Sequence, residues 1–126
     1  MDAMSAANEG GLAARVHRLR ADQPALLAAA AATRAGLLLA ADAPEGADTE
    51  TLAALGADLL VEADAAARAL TGGEPREATV RGPGGHVIAL AAGESAVLVA
   101  LTDALTPSSS VLPDLRDAAQ EIAERL

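Results

Sequence analysis

At 126 residues the chain fits one domain with its own core, and a hydrophobic content of 52% excludes a disordered chain. A net charge of −9 with no Phe, Tyr or Trp argues against nucleic acid, whose binders need a basic stripe and stacking rings, and against anionic membrane surfaces. The absence of cysteine removes disulfides, thiolate nucleophiles and thiolate metal sites, and all nine basic residues are arginines, the usage of a GC-rich bacterial genome.

Residues 1–9 are small and polar and read as a flexible N-terminal tail, without the cationic start or apolar segment of a signal peptide. Residues 10–126 read as a single domain. A first helix is expected from Gly11, with Leu12, Val16 and Leu19 on one face, ending before Pro24.

The stretch "LLAAAAATRAGLLLAAD", residues 26–42, follows. Its two apolar runs, Ala25–Ala32 and Ala35–Ala41, are each far short of the roughly 20 residues that cross a bilayer. Alanine propensity favours one helix. A hairpin instead places Gly36 and Arg34 at a turn, where glycine takes positive φ and the guanidinium reaches water. Both readings stand on the residues alone.

Residues 48–71 give the clearest helix. Asp48 caps it, Glu50 lies in its first turn, and Leu52, Leu55, Leu59, Ala63, Ala66 and Leu70 form the expected apolar face. Ala53, Gly56, Ala57 and Ala67 form a second, nearly bare face that suits close approach of another helix. Gly72 and Gly73 end the helix.

Three strands are expected next. "REATVRG" (76–82) alternates as an edge or half-buried strand. After the "GPGG" turn (82–85), "HVIALAA" and "SAVLVALTD" are apolar on both faces, joined tightly at Gly93-Glu94. Such strands are central ones covered from both sides. A last helix is expected with Ser110 as cap, Pro113 in its first turn, and Leu112, Leu115, Ala119, Ile122 and Leu126 on its apolar face.

Chemistry is sparse. His17 reads as solvated and His86 as an edge-strand residue, and neither has a metal partner at helical spacing. "DAPEGADTE" fails the calcium-loop spacing, with Pro44 and Gly46 where oxygen ligands belong. Ser95 and the serines 108–110 lack a nucleophile-elbow context, and "GPGGH" lacks the residues of a phosphate-binding loop. The expectation is a non-enzyme with no metal and no cofactor.

The order α-β-β-α-β-β-β-α, with "TRAGLLLAAD", "TETLAALGADLLVEADAAARAL", "TVRGPGGHVIALAAGESAVLVALTD" and "LPDLRDAAQEIAERL", resembles the roadblock/LC7 family, which includes bacterial MglB-like regulators of Ras-like GTPases. Longin and profilin-like domains share related architectures. The resemblance implies an α+β fold, a five-stranded antiparallel sheet covered by helices on both faces, and so selects the hairpin for residues 26–42. It implies a cytoplasmic homodimer in which strand 76–82 pairs with its two-fold mate and the long helices lie side by side. The interface would then involve Glu77, Thr79, Arg81, Leu55 and Leu59, with Glu77 opposite Arg81 of the other chain if the axis passes through Thr79. It also implies a small Ras-like GTPase partner, whose contact surface is expected on the helix around Asp58, Glu62 and Arg68. An arginine donated to the GTPase would suit such a regulator, but no role is assigned to Arg34, Arg68 or Arg76. Two other classes fit: a structural dimerisation scaffold without a GTPase, and a longin- or profilin-like ligand sensor. The aliphatic core disfavours the sensor, and a polar pocket would restore it.

Overall fold

The computed structural model describes residues 3–73 and 76–126, with side chains from Gly11 onward. Its elements run α1 (Ala3–Asp22), β1 (Leu26–Thr33), β2 (Leu38–Asp42), α2 (Thr49–Leu70), β3 (Glu77–Gly82), β4 (Gly85–Ala92), β5 (Ala96–Thr102) and α3 (Ser108–Glu124), the order expected. The strands form one antiparallel sheet in the order β2-β1-β5-β4-β3. Helices α1 and α3 cover one face and α2 the other. Helix α1 begins at Ala3, earlier than the start expected at Gly11, through an alanine-rich segment that favours helix; Met1 and Asp2 lie outside the described residues.

The alanine run is a strand. Ala29, Ala30 and Ala31 pair with Asp42, Ala41 and Ala40 across the hairpin, and β1 also pairs along its length with β5. Gly36 turns the chain at φ +92°, and its N–H donates to the carbonyl of Thr33. Long-range pairing on both sides satisfies the backbone of a central strand, which outweighs alanine's helical preference. Successive alanines serve opposite faces. Ala29 and Ala31 enter the core beneath α1 and α3, whereas Ala30 and Ala32 pair with Val99 and Val97 beneath α2.

Helix α2 is rotated from the expected face, with Leu52 and Leu59 only half-buried at the margin of the contact. Its buried residues are Ala53, Gly56, Ala57 and Leu60, while Leu55 is 60% and Leu70 83% exposed. The small-residue face is therefore the one laid on the sheet, not a helix–helix contact surface. At Gly56 the backbone comes so near β5 that an added Cβ would lie 2.1 Å from the Val99 side chain. Periodicity located both stripes; close backbone approach to valines and alanines selects the bare one.

The opposite face holds the larger core. Val16 and Leu19 of α1, Ile88 and Leu98 of the sheet, and Leu115 and Ile122 of α3 are fully buried there. Glu121 accepts from Arg15 Nε at 2.8 Å and from Arg18 Nη2 at 3.1 Å, tying α3 to α1. Helix α3 departs from expectation at its start. Pro107 is the N-cap without a side-chain bond, and the Ser110 hydroxyl donates to the Pro107 carbonyl. Pro113 falls in the second turn, and Leu126 lies past the helix, 54% exposed.

Strand β3 is an edge, as its alternation suggested. Pro83-Gly84 makes the turn to β4, and Gly85 (φ +145°) passes so close to β5 that a Cβ would meet the Thr102 carbonyl oxygen at 2.3 Å. His86 follows it into the sheet, paired with Thr102 and Arg81; it is buried rather than an edge residue, and its Nδ1 has no hydrogen-bond partner among the described residues. Glu77 fastens the edge to α3 through a bidentate pair with Arg116, at 3.0 and 2.6 Å.

Gly56→Ala should destabilise the protein in chemical denaturation followed by circular dichroism. Overpacking against Val99, typically about 1–3 kcal/mol, opposes a helix-propensity gain of about 1 kcal/mol. A variant more stable than the parent would refute the close approach. A second prediction concerns acid. The Arg116 guanidinium holds the Glu77 carboxyl below its ordinary value of 4.5. A carboxyl depressed on folding contributes stability that is present above its unfolded pKa and lost as pH falls through the folded one. Arg116→Ala should return the Glu77 titration, read by NMR, towards 4.5; an unmoved titration would show that the pair does not form in solution.

Candidate functional site

Two surfaces stand out, both on the α2 side of the sheet. The first combines the open edge of β3 with the outer side of α2. Alternation along β3 turns Ala78 and Val80 towards α2, opposite Ala89 and Val87 of β4, and leaves Val80 50% exposed. Glu77, Thr79 and Arg81 turn to the α3 side, where Glu77 meets Arg116 and Arg81 Nη2 lies 3.4 Å from the Ser108 hydroxyl. Of the expected interface residues, Thr79 and Leu55 are exposed, whereas Leu59 is half-buried beside the Val87 cluster. Asp58 and Glu62 are exposed, one turn apart on the same helix side as Leu55. Arg68 lies on another line of the helix, its Nε bonded to Asp64 at 2.8 Å. The three residues expected to bind a partner thus divide: two share the outer side and Arg68, also exposed, lies on a different line of the helix.

The second surface is a pocket of about 690 Å³ beneath the C-terminal half of α2. Ala57, Leu60, Val61 and Ala91 give it an apolar lining, and Arg34, Arg68 and Arg76 reach it with Asp64 and Glu94. Antiparallel pairing accounts for the convergence. The end of β1, the β4–β5 turn and the start of β3 share one end of the sheet, which brings Arg34, Gly93 and Arg76 together. Arg34 Nη2 donates to the Gly93 carbonyl at 2.7 Å, and its backbone N–H to that of Ser95 at 3.2 Å. The Arg76 carbonyl accepts from Ala91 N–H at 2.8 Å, fixing that residue at the rim. Sequence reading named these arginines without a role; strand directions were the signal that could have joined them.

Elsewhere the polar groups serve structure. Asp48 caps α2, accepting from the N–H of Thr51 at 3.0 Å and from its hydroxyl at 2.6 Å, and these bonds lower its pKa. Asp103 accepts from the N–H and hydroxyl of Thr106 and from the N–H of Leu105, which lowers its pKa and shapes the loop before α3. His17 is exposed with Nδ1 3.3 Å from Asp42. Among the described residues neither histidine bonds a hydroxyl, and no helix is long and apolar enough to cross a membrane.

The fold has known counterparts. A structure described as MglB with a tetrameric arrangement matches with a TM-score of 0.84 and 25% identity, over 94% of this chain and 90% of the other. The gliding protein MglB of Thermus thermophilus matches at 0.83 and 24% over the same shares, 94% and 90%. Acanthamoeba castellanii profilin IB, at 0.64 and 16% over 90% of this chain and 98% of its own, shares the architecture alone. No curated protein matches significantly by sequence. The family profile described as Roadblock/LC7 domain matches residues 12–102. With that match spanning most of a chain whose fold aligns with MglB structures, the protein belongs to the Roadblock/LC7 family.

Proposed function

We propose that this chain is an MglB-like regulator, a cytoplasmic homodimer that binds a small Ras-like GTPase and changes its nucleotide cycle or location without catalysing a reaction itself. The observation that carries this reading is the joint exposure, on one side of the sheet, of the β3 edge with Val80 and the outer side of α2 with Leu55. An open strand edge and exposed leucines are liabilities in a lone protomer and assets in an assembly.

In the proposed dimer the β3 strands pair antiparallel about Thr79. Counting back from the Gly82–Gly85 pair beside the turn, Arg81 and Thr79 direct their N–H and C=O groups to the free edge. Such an axis sets Val80 against Ala78 of the other chain on the α2 side. It also brings Arg81 of one chain to Glu77 of the other, but that carboxylate already holds Arg116 and Arg81 contacts Ser108. The seam therefore rests on backbone pairing and apolar cover more than on charge. The GTPase would meet the α2 outer side at Asp58 and Glu62, with Arg68 a lesser contact because it lies on another line of the helix, paired with Asp64. A partner that prefers one switch conformation shifts the nucleotide cycle by differential affinity.

Thr79→Pro removes an N–H that β4 does not use, so the protomer should fold while the dimer is lost; light scattering after size exclusion reads monomers, and an unchanged dimer rejects strand pairing. Pull-down from host lysate with GDP or a non-hydrolysable GTP analogue should retain a small GTPase more strongly with one nucleotide. Asp58→Arg with Glu62→Arg should abolish that retention in a protein still dimeric. No GTPase with either nucleotide would move the assignment to a structural scaffold.

A further inference from the structure

We infer that the arginine-lined pocket under α2 is a binding site for a small organic phosphate, a phosphorylated molecule of roughly nucleotide size. Among the described residues its lining sets Arg34, Arg68 and Arg76 against Asp64 and Glu94. In a chain of net charge −9, the described lining at this end of the sheet thus carries three positive charges against two negative ones. Its volume of about 690 Å³ falls within the roughly 300–1,000 Å³ of small-molecule sites.

Among the described residues four of the six arginines outside the pocket pair with carboxylates, and within it Arg68 pairs with Asp64. Arg15 and Arg18 share Glu121, Arg20 contacts Asp42, and Arg116 is held at both ends of its fork by Glu77. In the pocket, Arg34 spends one donor on the Gly93 carbonyl and keeps the rest of a guanidinium's five N–H groups. Asp64 orients Arg68 from one turn earlier on α2. Arg76 is exposed at the rim and, among the described residues, its guanidinium has no carboxylate or carbonyl partner. Convergent guanidinium groups suit a phosphate, which accepts bidentate bonds and can carry two charges. The lining of Ala57, Leu60, Val61 and Ala91 suits an uncharged body attached to that phosphate, which inorganic phosphate lacks. Asp64 and Glu94 disfavour a ligand that is anionic throughout. This pocket supplies the polar groups that the aliphatic core does not, and its site does not depend on a GTPase partner.

The chain has no aromatic residue, so backbone NMR is the direct readout. The intact protein is titrated with AMP, inorganic phosphate and pyrophosphate at constant ionic strength. Saturable shifts centred on the amides of Arg34, Ala57 and Gly93 are expected with AMP, at lower concentration than with either inorganic ion. Arg76→Gln and Arg34→Gln should each weaken AMP binding about tenfold, the scale of one lost charge-assisted bond, while Arg18→Gln on the other face leaves it unchanged. Arg76 is exposed and outside the strands, so its variant keeps the fold and the test stands even if Arg34→Gln does not. Equal binding of AMP and the inorganic ions would overturn the organic ligand in favour of free phosphate. Shifts that never saturate, or that survive Arg76→Gln, would overturn the site.

Discussion

The approach of α2 to the sheet at Gly56 is the constraint on which the other features depend. An added Cβ there would lie 2.1 Å from a Val99 methyl, so the helix can sit this close only where its side chains are nearly absent. Burial along α2 runs through Ala53, Gly56, Ala57 and Leu60 and then stops. A helix of 22 residues is about 33 Å long, so its C-terminal half continues past the point of closest contact. The space beneath that half is the arginine-lined pocket. Leu55 and Leu70, displaced from the contact face, appear on the outside. One close contact thus leaves room for both surfaces.

Much of the architecture was readable because turns are specified locally. Thr33-Arg34-Ala35-Gly36, Pro83-Gly84 and the Gly93 turn each mark a reversal by residues suited to it, and Gly36 and Gly93 take the positive φ that their positions require. The alanine run was ambiguous by propensity, and its placement in the hairpin came from family resemblance rather than from periodicity. The contact face of α2 was misread because a stripe of leucines is usually the buried one; the sequence does not say how near the sheet lies. His86 was misjudged for a related reason. It opens a strand, but Gly85 brings that strand against β5 and carries the imidazole inward.

The site was legible in proportion to how local its parts are. Asp58 and Glu62 share a helix side by spacing alone, and the edge character of β3 follows from its alternation. Arg68 is on the same helix, yet ten residues beyond Asp58 the helix has turned it towards Asp64 and the pocket. Arg34 and Arg76 come from different turns, and only the directions of four paired strands bring them to one end of the sheet. Glu77 illustrates the limit of pairing arguments. Its alternation with Arg81 suggested a partner across the two-fold, but the nearer partner is Arg116 on the helix that packs over the same face.

The two faces of the sheet are unequal in a way that divides their roles. Beneath α1 and α3, branched and long aliphatic side chains from both helices and the sheet interlock, and buried Arg15 joins the helices through the half-exposed carboxylate of Glu121. Without aromatic rings, that face needs two helices to enclose enough apolar surface to stabilise a domain of this size. Beneath α2 the sheet offers Ala89, Val97 and Val99, and a single helix covers them. A thin layer is a poor source of stability but a ready place for function. Its helix can present an outer side to a protein, its open edge can accept a strand, and its overhang can hold a small molecule, without any of the three disturbing the core on the other face.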